Sequence, residues 1–300
     1  MRDVKGAFDN VWHLGLKLKI DRLLLPAEIT RLLSDFLEDR TFQVRVGSHL
    51  GPSFPILSGV PQGSNLSPTL YNLYISDISD PLNDCHQFIY ADDITQVVTS
   101  PWRSREILAD RTAADIERVN RFEKEWKIQT NQRKFKVVPI AQRCPEPLVV
   151  EGDIQPYSSH AKMLGLTIGR FSYKQHVSER SAQAKANLSK LRRFQNLPLN
   201  KRKLLYTAFI RPILEYPPIP LAAVSTHQQL RLQRVQNRAV SFITRRDWTL
   251  HETMESLHRS LKLPAMNRIL QIRASDTWKR VQFHYPEEFE WLSQPIRGED

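Results

Sequence analysis

Two adjacent aspartates, Asp92 and Asp93, lie between two β-prone runs, Phe88-Ile89-Tyr90 on one side and Ile94-Thr95 with Val97-Val98 on the other. The pattern predicts a hairpin over residues 88–98 with acid at its tip. Like charges repel at a tight turn, where Asn-Gly or Asp-Gly is the usual choice, so a bound cation would give the pair a reason to be there. Carboxylate oxygens of this kind suit magnesium. Taken alone, the stretch from Phe88 to Thr95 fits a solvated Asp-Asp turn equally well.

The elements around the hairpin follow from periodicity. The stretch from Met1 to Trp12 reads as the end of a strand entering a turn, with no leader or cap before it, so the chain is expected to be cut there. Residues 14–37 carry apolar positions at Leu18, Leu23, Leu24, Ile29, Leu32, Leu33, Phe36 and Leu37. With the break at Pro26, they predict a short helix followed by a second one. Phe42 to Val46 alternates as a half-buried strand does. A loop with Pro61-Gln62-Gly63-Ser64 leads to a helix over Leu66–Ile78, with Pro68 in its first turn. Residues 103–126 have the pattern of an amphipathic helix lying on a sheet, and short strands are predicted around Phe135–Ile140 and Met163–Ile168. From His176 onward the chain reads as helix after helix. In 227–246 the stripe Leu232, Val235, Ala239, Phe242 and Ile243 is accompanied by Arg231, Arg234, Arg238 and Arg245, most of them one residue earlier. One residue is about 100° of helix, so these arginines flank the buried face, where their stems rest on the core and their heads reach outward. For any single arginine a solvated face is the simpler explanation.

Composition narrows the partners. The 300 residues carry a formal net charge of +11, and the excess is unevenly placed. Residues 1–160 hold 19 Lys and Arg against 21 Asp and Glu, whereas residues 161–300 hold 24 against 11. Within 161–246 there are 17 basic side chains and two acidic ones, Glu179 and Glu215. Such a density repels itself unless a polyanion is near, and nucleic acid is the natural candidate. Lys185, Lys190, Arg192, Arg193, Arg231, Arg234 and Arg238 are the candidate contacts. Two cysteines, Cys85 and Cys144, build neither a disulfide framework nor a zinc knuckle, which fits a reducing, intracellular setting. No run approaches the roughly 18 apolar residues of a membrane span, and no secretory pattern opens the chain, so no membrane partner is expected.

Taken together, the segments resemble the reverse transcriptase of non-LTR (LINE-type) retrotransposons, most closely the jockey-like elements of animals. Asp3-Val4-Lys5-Gly6-Ala7-Phe8-Asp9 is similar to the first catalytic motif of that family. The run from Gly59 to Pro68 is similar to the second, and Tyr90-Ala91-Asp92-Asp93 to the third; three ordered motifs carry more weight than any one. Trp126-Lys127-Ile128 with Asn131-Gln132-Arg133-Lys134 resembles the segment ending in Asn-x-x-Lys, although Phe135 stands where a small hydroxyl residue is usual. Met163-Leu164-Gly165-Leu166 resembles the primer-grip strand pair, although Gly169-Arg170 replaces the acidic residue common after it. The helical C-terminal part looks like the thumb and the region beyond it.

The resemblance implies an α/β (α+β) polymerase palm with an antiparallel sheet over residues 1–170, with part of the fingers and the upstream part missing. A basic, mainly α-helical thumb and C-terminal extension would follow over 171–300. It implies RNA-directed DNA polymerisation, with an RNA template, a DNA primer and deoxynucleoside triphosphates as partners, in the nucleus or a cytoplasmic ribonucleoprotein. Two Mg2+ ions would bracket the attacking 3′-oxygen and the leaving pyrophosphate. Asp3 and Asp92 would hold them directly with the Val4 carbonyl helping, and Asp93 would add charge. Side chains alternate along a strand, so Asp92 and Asp93 point the same way only if the turn bends them. Phe8 would lie beneath the sugar of the incoming nucleotide, Gln62 and Gly63 would approach nucleotide and template, and Lys134 would serve the leaving group. Leu164 and Gly165 would meet the primer. Asp9 is expected to be structural. The competing reading is a catalytically inactive remnant that binds nucleic acid through its basic helices. Because only two residues precede Asp3, residues 1–300 by themselves are expected to bind nucleic acid without extending a primer.

Overall fold

In the computed structural model, which describes residues 1–79, 85–99, 104–140, 146–170, 173–245 and 253–287, the chain forms two compact units, Met1–Ser158 and Ser159–Asp300. Cys144, residue 103 and residue 246 lie outside the described residues. The segment 160–169 packs on the first helix of the second unit.

The first unit runs β1 (Arg2–Asp3), α1 (His13–Arg22), α2 (Ala27–Asp35), β2 (Thr41–Val46), β3 (His49–Pro55), α3 (Ser67–Ile75), β4 (Cys85–Tyr90), β5 (Asp93–Val98), α4 (Arg105–Glu125), β6 (Leu148–Val150) and β7 (Asp153–Gln155). The predicted hairpin is there, and β1 joins it to give an antiparallel sheet of order β1-β5-β4. Val11, Leu16, Ile20, Leu70, Tyr71, Tyr74, Ile75, Ile94 and Val119 form the core beneath it. The break at Pro26 falls where predicted, with α2 starting at Ala27.

β1 contributes only two ladder residues, yet it is firmly tied. Arg2 is 4% exposed; its guanidinium donates to Glu123 Oε1 at 3.1 Å, Asn120 Oδ1 at 2.8 Å and the Ile116 carbonyl at 3.0 Å. The Phe135 ring lies over it at 4.9 Å. A second anchor sits deeper. Lys19 is buried with its ammonium 3.6 Å from the Trp126 ring centre and bonded to Asp77 and the Tyr74 carbonyl. Cys85 is buried with its thiol against Asp115, and burial pushes it up to about 12, so it stays a thiol.

Two predictions from periodicity fail, for physical reasons. Every residue of β2 is exposed, not alternately buried, because β2 pairs with β3 alone and no described layer covers either face of that ribbon. The stretch Phe135–Ile140 is not a strand; within it Val137 makes a single bridge to Tyr157.

The second unit comprises β8 (His160–Met163), β9 (Leu166–Gly169), α5 (Lys174–Leu191), α6 (Leu199–Leu205), α7 (Arg211–Glu215), α8 (Pro218–Ala222), α9 (Thr226–Thr244), α10 (Met254–Ser260) and α11 (Met266–His284). The strand predicted over Met163–Ile168 is instead a hairpin whose turn is Leu164–Gly165, with φ of 45° and 82°. Positive φ at both central residues is the hairpin turn that matches strand twist. On α9 the predicted stripe is buried at Leu232, Val235, Ala239 and Ile243, while Arg234, Arg238 and Arg245 are exposed. Buried His176 ties the hairpin to the helices: its Nδ1 accepts the Thr167 N–H at 3.2 Å, so its Nε2–H donates to the Tyr216 carbonyl at 3.1 Å.

Two consequences are testable. Glu123→Ala leaves the buried Arg2 cation without its counter-charge and should cost about 3–5 kcal/mol in chemical denaturation, whereas replacing both residues by apolar ones of similar volume should cost far less. Burial also holds His176 and His258 below their ordinary value of 6.5. The unfolded chain therefore binds more protons than the folded one as pH falls through 6.5, so stability should drop over that range. Melting curves between pH 7.5 and 5 check this, and His176→Gln should flatten the dependence.

Candidate functional site

The open end of the three-stranded sheet gathers the acidic residues. Asp3 and Asp93 are direct cross-strand partners, which puts both side chains on one face. Asp92 sits in the two-residue turn between β4 and β5, exposed, and its carbonyl accepts the Val4 N–H at 2.8 Å. The other turn residue, Ala91, has φ 51°, a position where glycine or asparagine is usual. The turn reverses the chain between β4 and β5 through Ala91. Ala91 carries backbone strain to do so.

Charge is tightly coupled here. Burial, with the charges of Asp92 and Asp3 behind it, holds Asp93 above the usual carboxylate range. The compensating cation is Lys134, whose Nζ stands 2.8 Å from Asp3 Oδ1. The hydrogen bond to Asp3 raises Lys134, and the charges of Asp92 and Asp93 add to it. A short turn delivers it: Asn131 N–H donates to the Asp3 carbonyl, and Lys134 N–H donates back to the Asn131 carbonyl. The sequence suggested a partner for a leaving group; the structure pairs the ammonium with a carboxylate. The donor set of Asp3, Asp92, Asp93 and backbone carbonyls is all oxygen, the chemistry magnesium takes. Among the described residues no three His, Cys, Asp or Glu groups stand close enough to enclose an ion by themselves.

Beside the carboxylates, the turn after β1 meets the loop before α3. Val60 N–H donates to the Phe8 carbonyl at 2.7 Å and Gly59 N–H to the Val11 carbonyl at 2.8 Å. Gln62 Nε2 donates to Asp9 Oδ1 at 2.9 Å. Gly63 has φ 92°, a backbone conformation that glycine adopts freely, and open space where a Cβ would stand. Phe8 is half-buried, its ring 5.1 Å from that of Tyr71, so it packs at the edge of the core. Tyr71 itself escaped the sequence reading. It is 2% exposed and its hydroxyl has no hydrogen-bond partner. Burial raises it, with the Asp92 charge next in effect. The signal for Tyr71 was its place three residues after Pro68, directly after the first turn of a buried helix.

In the second unit the Leu164–Gly165 turn is braced from behind. Tyr216 donates its hydroxyl to the Leu164 carbonyl at 2.7 Å, and Arg180 donates to the Gly165 carbonyl at 2.5 Å. Lys185 and Lys190 are exposed on α5, with Arg192 and Arg193 in the turn that follows it. Arg234 and Arg238 are exposed on α9, and half-buried Arg231 reaches Ser178 on α5 at 3.4 Å. Other basic residues serve the fold: Arg202 is buried and caps the carbonyls of Gln195, Leu197 and Ile243.

Comparison with known proteins agrees with the motifs. The sequence model of one family, described as "Reverse transcriptase (RNA-dependent DNA polymerase)", matches residues 2–168. Among curated proteins of Drosophila melanogaster, the chain is 31% identical over 294 residues to "Probable RNA-directed DNA polymerase from transposon X-element". It is 29% identical over 302 residues to "RNA-directed DNA polymerase from mobile element jockey". Each alignment covers 94% of this chain and 32% of the relative, so the chain spans about a third of the length of the relatives it matches.

A carboxyl held above its usual range destabilises the fold once ionised, because the unfolded chain gives up that proton more readily. Asp93→Asn should therefore raise the melting midpoint of residues 1–300 at pH 7 in the presence of EDTA. An unchanged or lower midpoint would show that the repulsion is already relieved by solvent and Lys134.

Proposed function

The chain belongs to the reverse transcriptase family, and from that premise we propose that it is the polymerase portion of a non-LTR retrotransposon protein, an RNA-directed DNA polymerase. The observation that carries this reading is the face-to-face pairing of Asp3 with Asp93, with Asp92 in the adjoining turn, inside the residues 2–168 that the family model matches. The substrates are deoxynucleoside triphosphates, an RNA template and a DNA primer. The first unit serves as palm with part of the fingers, and the second as a basic thumb and extension. Two Mg2+ ions held by Asp3 and Asp92, with Asp93 and the Val4 carbonyl beside them, would supply charge neutralisation for the attacking and leaving oxygens.

The protein's own groups do the rest. Arg2, buried behind β1, fixes the strand so that Asp3 keeps its position. Lys134 neutralises Asp3 before substrate arrives, and its exposed ammonium is within reach of the triphosphate once that pair opens. Phe8, backed by Tyr71, presents a ring edge to the sugar, where bulk disfavours a 2′-hydroxyl. Gln62 and Gly63 bound the nucleotide from the opposite loop. The Leu164–Gly165 turn, braced by Tyr216 and Arg180, meets the primer. Lys185, Lys190, Arg192, Arg193, Arg231, Arg234 and Arg238 bind phosphates without reading sequence.

The decisive experiment is primer extension on an RNA template by a protein that carries this sequence within the full span of its relatives. Asp3→Asn and Asp92→Asn should each lower extension about a hundredfold or more while leaving template binding intact, since several kcal/mol of transition-state stabilisation is lost. Extension by either variant near the wild-type rate would overturn its assignment as a metal ligand, and no extension by the parent protein would leave the inactive-remnant reading. Binding of residues 1–300 to a primed template should weaken steeply with salt. Replacing Arg231, Arg234 and Arg238 by Gln should lower the log–log slope by about 2–3, each phosphate contact contributing about 0.7–0.9. An unchanged slope would assign those three side chains to a solvated face.

A further inference from the structure

The turn after β1 and the loop before α3 are joined more closely than the chemistry assigned so far requires. Gly59 has φ 91°, and a Cβ there would stand 2.7 Å from the Asp9 carbonyl oxygen and 2.9 Å from the Asp9 Cα. Only glycine permits that approach. Around it, Ser58 Oγ donates to the Asp9 carbonyl at 3.0 Å, and His13 Nε2 lies 2.8 Å from the Gly59 carbonyl, which it must meet as a donor. The turn itself is braced by Asp9 and Asn10 N–H groups on the Gly6 carbonyl, and by Asn10 Nδ2 on the Lys5 carbonyl at 2.8 Å. Asp9 is thereby fixed through its backbone, and its carboxylate meets Gln62 Nε2 at 2.9 Å.

We infer that Asp9 is a positioning residue that fixes which end of the Gln62 amide faces the incoming nucleotide. The inference rests on the nucleotide-site reading of Gln62 given above. Its basis is elementary: an ionised carboxylate only accepts hydrogen bonds, so the NH2 end of the amide must turn toward Asp9. The Oε1 end is then the one Gln62 offers to a ligand. Gln62 therefore acts as an acceptor and selects a hydrogen-bond donor on the nucleotide, supplied by a sugar hydroxyl or by a base amino group. Without Asp9 the amide is free to flip, and its outward end has no fixed polarity.

The test uses purified residues 1–300 bound to a primed RNA template, with Asp9→Asn, Gln62→Ala and the double variant. Asp9 is exposed and asparagine keeps its shape, so the melting curve should not move. In wild type the side-chain NH2 signals of Gln62, assigned by their loss in Gln62→Ala, report the bond to the carboxylate. Asp9→Asn should shift these signals and weaken deoxynucleotide binding about three- to tenfold, the scale of one hydrogen bond. It should add nothing in the Gln62→Ala background. A dideoxynucleotide and a nucleotide lacking the base amino group separate the two donors: the one whose binding no longer depends on Asp9 lacks the group that Gln62 accepts. Unmoved Gln62 signals, or an equal loss in the Gln62→Ala background, overturns the inference. If the signals shift but wild type binds nucleotide no better than Gln62→Ala, the nucleotide-site reading fails and takes the substrate role of Asp9 with it.

Discussion

Asp3 is held in place chiefly by the burial of the residue before it. A strand of two residues has too few ladder bonds to resist fraying, and the sequence alone suggested that Asp3 would be loosely placed. The structure answers with a side chain. Arg2 is drawn into the first unit by Glu123, Asn120 and the Ile116 carbonyl, beneath the Phe135 ring. Alternation along the strand then forces Asp3 to the other face, opposite Asp93. Burial opposes the charge on both Arg2 and Glu123, lowering one and raising the other, and each offsets part of that cost for its partner. One buried ion pair thus sets where an unrelated carboxylate stands. The same loop that covers Arg2 with Phe135 also carries Lys134 round to Asp3, so adjacent residues of one loop meet both side chains of this strand.

The like charges at the sheet's end are the second constraint, and they depend on the first. Asp93 is raised by burial and by its neighbours because it cannot move away: its backbone pairs with both Asp3 and Tyr90. Ala91, rather than a glycine, absorbs the turn's positive φ. A fold selected for stability alone would place neither an alanine nor a pair of aspartates at such a turn. Lys134, with a largely exposed side chain, is a weak enough partner to be displaced by a stronger cation.

Much of this was legible in the sequence where one periodicity ruled. The hairpin of residues 88–98, the helix break at Pro26 and the buried stripe of α9 each follow from spacing that no distant contact overrides. The resemblance implied that Asp3 and Asp92 would meet with Asp93 near them, but the register of Asp3 with Asp93 was not legible, since no local pattern brings residues ninety positions apart together. What could not be read is what depends on long-range side-chain contact. Nothing about Arg2 or Glu123 in isolation marks them as a buried pair, and Tyr71 reads as one more core aromatic until its hydroxyl is found without a partner. The exposed β2–β3 ribbon failed for the converse reason. Alternation in Phe42–Val46 records that a face is suited to burial, but burial itself needs a second layer, and the described residues provide none.

Charge in the second unit shows how a composition count has to be discounted by structure. The 17 basic residues of 161–246 are not 17 candidates for phosphate. Arg202 is spent on three carbonyls, Arg180 on Gly165, Arg245 on Gln195, and Arg211 on Glu215, which Arg273 also meets. Arg202, Arg180 and Arg245 close the ends of helices and turns that would otherwise leave carbonyls unpaired. Both acids of the segment are engaged as well, Glu179 with Thr167 and Gln175, Glu215 with its arginines. Internal pairing thus removes some cations along with Glu215, and the exposed remainder on α5 and α9, with Glu179 as its acid, stays strongly positive. It is that residual, mostly positive surface, and not the total charge, that supports the polyanion partner proposed for this unit.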